Sequence, residues 1–365
     1  MKSAADSRSL ERALALMERC LRPAGAASLA AEFPLVFEER FSGRVVTYQE
    51  KGDVRSTCAL LVRDLVLEGS RLRVGLIGSV ATQPSWRGRG LASRVLEEAE
   101  HSLAREGCAA ALLWADDPDF YAARGYRAIG WEIDFVLPLE SLASVVSDAT
   151  LRALAPDDVA AVHRLYSRHS ARADRSEVET AALLECPGMT TLVLQRERDV
   201  AAYACLGRGG DFANTVHEWG GGEDDVMALI AEHARRLQPL DPEGSIAVIA
   251  PPGASRMRER MRGLGAQIND GILAMAKVLD SEALCELVDR FGGSLRVERD
   301  SHSKVGASVV ARGPRGSRSL SNEDLLALLF SPRGNRDAVA DLERELGVEA
   351  PGLPLQPFLW GLDSI

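Results

Sequence analysis

Residues 74–92, VGLIGSVATQPSWRGRGLA, constrain this chain more than any other stretch. An apolar run breaks at Gln83-Pro84 and gives way to Arg87-Gly88-Arg89-Gly90-Leu91-Ala92, an order that reads as strand, turn, glycine loop and helix. Within the helix, Leu91, Val95, Ala99 and Leu103 recur every fourth residue while Glu97, Glu98, Glu100, His101 and Arg105 fall elsewhere, so one face is buried. The helix opens at or near Gly90, where its first N–H groups lack partners inside the helix. Gly88 and Gly90 have no side chain to hold an anion away, and Arg87 and Arg89 add charge beside the positive end of the helix dipole. A pyrophosphate fits such a loop.

Ser85-Trp86-Arg87-Gly88-Arg89-Gly90 resembles the Q/R-x-x-G-x-G/A acetyl-CoA loop of the GCN5-related N-acetyltransferases (GNAT), with Ser85 where the family has Gln or Arg. The surrounding order is similar too: an apolar strand, Val-Ala-Thr-x-Pro, the basic loop, an amphipathic helix and a second apolar strand at residues 109–115. The resemblance implies acetyl-CoA as co-substrate. The backbone of Val80, Ala81 and Thr82 would then pair with the pantetheine amides, and Arg87, Gly88, Arg89, Gly90, Leu91 and Ala92 would hold the pyrophosphate. Residues 119–126, DFYAARGY, resemble the family's F-Y-x-x-x-G-F/Y segment and make Tyr121 the candidate general acid. A phenol with an ordinary pKa of about 10 is protonated at neutral pH and can supply a proton to a departing thiolate. Tyr126 reads as an ordinary core aromatic.

Along the chain, residues 9–20 form an amphipathic helix, and residues 35–37, 44–48 and 58–67 read as strands that meet the strand before the glycine loop. The family's opening strand has only about seven residues in which to form, and is missing or very short. Residues 129–138 close this unit with an apolar strand. Residues 150–166 restart the pattern, and strands at 191–194, 200–206, 212–219, 245–250 and 272–279 with a helix at 226–237 repeat the order of the first unit. Its loop, Glu218-Trp219-Gly220-Gly221-Gly222-Glu223-Asp224-Asp225, is acidic and would repel a pyrophosphate, so the second copy reads as catalytically silent.

The expected fold class is thus α/β with mixed sheets: a GNAT unit at 1–148 that binds acetyl-CoA and catalyses, a degenerate GNAT-like unit at 149–280, and a small α/β unit at 281–365. This arrangement resembles the enhanced-intracellular-survival acetyltransferases, whose third region is like a sterol carrier protein; a bound lipid is not implied. The tail, PGLPLQPFLWGLDSI, is apolar enough through Phe358, Leu359, Trp360 and Leu362 to dock on the body. In the resembling class the terminal carboxylate acts with the tyrosine as base, which implies the carboxylate of Ile365 here.

Composition narrows the partners. The chain has 365 residues and a net charge of -10, which argues against a nucleic-acid binder and is compatible with a cationic small-molecule or peptide amine. Its six cysteines show no metal-binding spacing and suit a reduced cytoplasm; no metal cofactor, signal peptide, membrane span or membrane partner is expected, and a homo-oligomer is compatible with the sequence. Asp116, Asp117 and Asp119 read either as a solvated cap or as a site attracting an ammonium group. The S-x-x-K at Ser301 to Lys304 lacks the accompanying motifs of penicillin-recognising enzymes. The expected activity is acetyl transfer from acetyl-CoA to a primary amine. A narrow biosynthetic N-acyltransferase and a non-catalytic acyl-CoA or lipid sensor are the rival readings.

Overall fold

The computed structural model describes residues 2–3, 7–22, 28–300 and 309–365; the S-x-x-K lies outside them. The first series of elements is β1 (Lys2–Ser3), α1 (Ser7–Leu21), α2 (Leu29–Glu32), α3 (Pro34–Phe37), β2 (Arg44–Glu50), β3 (Asp53–Leu67), β4 (Ser70–Thr82), α4 (Leu91–Arg105), β5 (Ala110–Leu113), α5 (Pro118–Ala122), β6 (Arg127–Ile129) and β7 (Glu132–Pro138). A second series runs through β8 (Thr150–Ala153), α6 (Val159–Tyr166), β9 (Ala171–Ala173), α7 (Glu177–Leu184), β10 (Thr190–Arg196), β11 (Asp199–Leu206), β12 (Thr215–Gly221), α8 (Glu223–Leu237), β13 (Ser245–Ala250), α9 (Ser255–Gly263), β14 (Gln267–Gly271) and β15 (Ala274–Val278). The last unit comprises α10 (Glu282–Phe291), β16 (Arg296–Arg299), β17 (Val309–Gly313), β18 (Gly316–Leu320), α11 (Asn322–Phe330) and α12 (Asp337–Leu346).

These strands build an eight-stranded sheet in the order β1-β2-β3-β4-β5-β15-β6, with β9 added to β3, and a seven-stranded sheet in the order β14-β7-β13-β12-β11-β10-β8. A three-stranded antiparallel sheet, β16-β17-β18, makes the small third unit. Each large sheet has one parallel pair at its centre, β4 with β5 and β12 with β13. The opening strand is as short as the sequence implied, two residues paired to β2. Helix α4 buries Leu91, Val95, Leu96, Ala99 and Leu103 against the first sheet. Its larger aliphatic side chains contribute about 1.5–3 kcal/mol each.

The two large sheets exchange strands, which the sequence reading did not anticipate. The apolar run expected to close the first unit breaks after Ile129. Gly130 there adopts φ +66, and a methyl group on it would lie 2.8 Å from Leu273 Cβ. Beyond this glycine the chain leaves the first sheet, and β7 pairs antiparallel with β13 and β14 in the second. In return β15, expected among the strands of the second unit, inserts between β5 and β6 of the first sheet. Lys277 of β15 donates to Glu100 of α4 at 2.6 Å and so ties the incoming strand to the helix above it.

Residues 35–37, read as a strand, are instead the helical turn α3. Pro34 sits at its first position, where a fixed φ favours a helix start. All four of its residues are buried, so no periodicity was available to distinguish helix from strand. Among the described residues no helix is long and apolar enough to cross a membrane.

The exchange predicts that residues 1–148 expressed alone, without β15, expose the edge of β5 and show no cooperative thermal transition. Co-expression with residues 149–365 is expected to restore one, measured by circular dichroism on the co-purified pair.

Candidate active site

Strands β4 and β5 share backbone hydrogen bonds only from Val74/Ala110 to Leu76/Leu112. Beyond Leu76, β4 runs on to Thr82 while its partner falls away, and a cleft of about 890 Å³ opens between them. The opposite edge of β4 stays paired to β3 through an irregularity in register between Thr57 and Ala59, where Ser79 takes φ +49. Such a bulge turns the local backbone out of the ladder. Val80, Ala81 and Thr82 line the cleft, with Thr82 fastened to Ser56 by a 2.8 Å hydroxyl contact.

At the outer end of the cleft a short turn, Pro84–Trp86, leads to the glycine loop. Gly88 and Gly90 adopt φ +75 and +74, and a methyl group on either would meet nothing within 4 Å. Gly90 caps α4 without a side-chain acceptor, and the first turn of α4 carries no acidic residue. The leading N–H groups of α4 are therefore available to an anion. Arg87, Gly88, Gly90, Leu91 and Ala92 all line the cleft. Arg89 does not: its guanidinium lies over the Trp86 ring, 4.4 Å from the centroid. The loop fits a pyrophosphate in shape and charge.

Tyr121 projects into the cleft from α5, whose first turn is capped by Asp117 accepting from the Phe120 N–H. Its ring meets Phe120 and Tyr126 edge-on, at 5.0 and 5.8 Å between centroids. Burial pushes the Tyr121 phenol above its ordinary value, and neighbouring Cys58 and Asp116 push the same way. The proton is thus held firmly at neutral pH. Tyr126 is fully buried and donates to Glu100 at 3.0 Å, a core role as the sequence suggested. Arg124, which no motif singled out, donates to Ser93 at 2.6 Å and stacks on Phe120, bracing α5 against the first turn of α4.

Ile365 enters the same cleft from the other side. A methyl group on Gly78 would lie 2.2 Å from the Ile365 carboxyl oxygen and 2.5 Å from its carbon, so only glycine leaves room for it there. Phe358, Leu359, Trp360 and Leu362 are buried, as expected of a docked tail.

A second cavity of about 320 Å³ adjoins the first and shares Phe33, Trp114, Asp116, Asp211 and Ile365 with it. Glu132 lines it as well, its carboxyl pushed up to about 8 by burial and then by Asp134. Asp211 accepts from Arg22 at 2.7 Å, and Arg22 in turn donates to buried Glu32 at 2.6 Å. Of these acidic residues only Asp116 stood out in the sequence. Glu132 and Asp211 come from strands and loops far apart in the chain.

The second fold offers no comparable loop. Its acidic residues Glu223, Asp224 and Asp225 fill the first turn of α8, where they favour the helix dipole, and Asp224 and Asp225 pair with Arg260 and Arg196, each at 2.6 Å.

Residues 3–133 match the acetyltransferase (GNAT) domain family. No curated protein matches the chain in sequence. Among solved structures, a protein of Enterococcus faecalis described as a probable N-acyltransferase superposes with a TM-score of 0.72 at 14% identity, covering 98% of each chain. A GCN5-related N-acetyltransferase of Anabaena variabilis gives 0.70 at 14% identity, covering 100% of this chain and 99% of that one. The Eis1 protein of Mycobacterium abscessus gives 0.62 at 16% identity, covering 98% of each. With its splayed central strands, basic glycine loop and full-length superpositions, the chain has the GNAT-superfamily acetyltransferase fold, built twice in tandem and followed by a small α/β unit.

Proposed function

We propose that the protein is an acetyl-CoA-dependent N-acetyltransferase acting on a primary amine of a small cationic molecule or peptide. The observation that carries this reading is the convergence of the glycine loop, Tyr121 and Ile365 on one cleft. Residues 1–148 supply the cofactor arm and the acid, 149–280 a fold without cofactor chemistry, and 281–365 the small unit and the docking tail. The backbone of Val80, Ala81 and Thr82 pairs with the pantetheine amides. Arg87, Gly88, Gly90, Leu91 and Ala92 receive the pyrophosphate, and Arg89 adds charge from its seat on Trp86.

The amine nitrogen attacks the thioester carbonyl, forming the C–N bond and putting the carbonyl electron pair on oxygen; collapse of that adduct then breaks the C–S bond. The Ile365 carboxylate takes the proton that the amine gives up, and Tyr121 returns one to the departing thiolate. Backbone N–H groups of β4 stabilise the oxyanion between these events. The acidic, aromatic second cavity receives the rest of a cationic acceptor, with Trp114 and Phe33 as walls, Asp116 and Asp211 as its carboxylates, and Glu132 as a third that ionises only as pH rises through about 8.

Three outcomes are expected. Tyr121→Phe lowers kcat by about 10²-fold with the acetyl-CoA KM little changed, measured by thiol release against a panel of polyamines, aminoglycosides and lysine peptides; an unimpaired variant removes Tyr121 from the reaction. Gly78→Ala evicts the tail and lowers kcat as far as deletion of the last four residues does, and full turnover in both folded proteins rules out the carboxylate. Glu132 is largely protonated below its pKa of about 8 and gains its charge above it. The KM for a cationic amine therefore falls as pH rises through that value, and Glu132→Gln flattens the fall; identical profiles would remove Glu132 from acceptor binding.

A further inference from the structure

The two folds use the gap between their central parallel strands differently. In the first fold the gap beyond Leu76 is the open cleft. In the second, β12 and β13 pair only at Thr215/Ala247 and Val216/Val248, and side chains enter the space beyond. Trp219 reaches across it to donate to the Ile249 carbonyl at 3.0 Å. Trp360 of the tail packs edge-on against Trp219 at 5.1 Å and tilted on His169 at 4.3 Å, and Gly361 sits on the His217 ring, where a methyl group would lie 2.5 Å from Nδ1.

Two buried cations grip this segment. Arg175 is fully buried and bridges Glu218 of β12 at 2.5 Å and Asp363 of the tail at 3.4 Å; Tyr166 donates to the same Asp363 carboxylate at 2.6 Å. Arg208 is 1% exposed, and among the described residues no carboxylate is in ion-pair contact with it. Its donors go to the Gly361 carbonyl at 2.6 Å, the Ser364 hydroxyl at 3.1 Å, the Ser364 carbonyl at 3.3 Å and the Glu32 carbonyl at 3.0 Å. Burying an unpaired guanidinium is costly, and an apolar residue of similar volume would pack the site at lower cost. What the guanidinium provides is direction: it fixes three atoms of the tail relative to α2 of the first fold.

We infer that the second fold is a receptor for the chain's own segment 358–364, and that Arg208, with the Arg175–Asp363 pair, is a positioning residue that sets Ile365 against Gly78 in the first fold's cleft. This rests on the proposed acetyl transfer for its kinetic consequence but not for its structural one. The silent copy thus contributes to the reaction by holding the base in place, and one acetyl-CoA binds per chain.

The test uses the full chain and Arg208→Gln, each with and without the last four residues. Limited chymotrypsin digestion read by intact mass follows cleavage at Phe358, Trp360 and Leu362. The variant is expected to be cut there at least about tenfold faster than the wild type while keeping its thermal transition. Its kcat falls about as far as in the truncated chain, the acetyl-CoA KM stays within about twofold, and Arg208→Gln causes no further loss once the tail is shortened, as required of residues that act as a unit. Unchanged cleavage, or an equal loss of kcat in the truncated background, overturns the inference. Should Arg208→Gln fail to fold, Ser364→Ala removes one of the same contacts, and a rise in cleavage is expected, its absence being equally decisive. A wild type inactive on every amine would count against acetyl transfer alone, and the cleavage rates would still decide whether Arg208 positions the tail.

Discussion

The cleft exists because two parallel strands stop sharing hydrogen bonds. From Val74 to Leu76, β4 is an ordinary central strand, buried on both faces and bonded on both edges. Past that point its β5-facing edge has no strand partner, and an extended molecule carrying amide groups can take the vacant role. The glycine loop at one end and the tail at the other are both placed by reference to this edge. The loop follows β4 directly in sequence, and Gly78, the residue that admits the tail, lies two positions beyond the last paired residue.

The same opening in the second sheet is spent on self-recognition. Trp219, Trp360 and His169 occupy it with rings, and the Arg175, Glu218, Asp363, Tyr166 and Tyr203 side chains form a fully buried polar cluster around it, Tyr203 donating to Glu218 at 3.0 Å. Removing Arg175 from this cluster leaves Glu218 and Asp363 buried without their counter-charge, a cost of about 3–5 kcal/mol. The tail-binding residues Glu218 and Trp219 of β12 thus stand directly before the acidic first turn of α8.

Features encoded within a short window were legible in the sequence. The strand, glycine loop and helix of residues 74–105 depend on neighbours a few positions away, and periodicity reveals them; the segment bearing Tyr121 stood out by its motif, and its short helix did not. Strand exchange was not legible, because β7 alternates apolar and polar residues and β15, AMAKV, is a short apolar run, patterns that satisfy either sheet, and only Gly130 marks the crossing. Partners distant in sequence, such as Lys277 with Glu100 or Arg208 with Ser364, leave no local signal. The acidic second cavity was half visible: Asp116 belongs to a conspicuous cluster, whereas Glu132 sits within a strand and Asp211 beside a glycine pair.

Strand exchange also orders events during synthesis. When β5 leaves the ribosome its outer edge has no partner until residues 274–278 follow, an interval of roughly 10–30 s at ordinary elongation rates. Throughout that time an apolar strand edge is open to pairing with another nascent chain. The first fold can thus be assembled early only as an incomplete sheet, and its closure waits on the completion of the second, which makes the pair a single unit for chaperones and proteases.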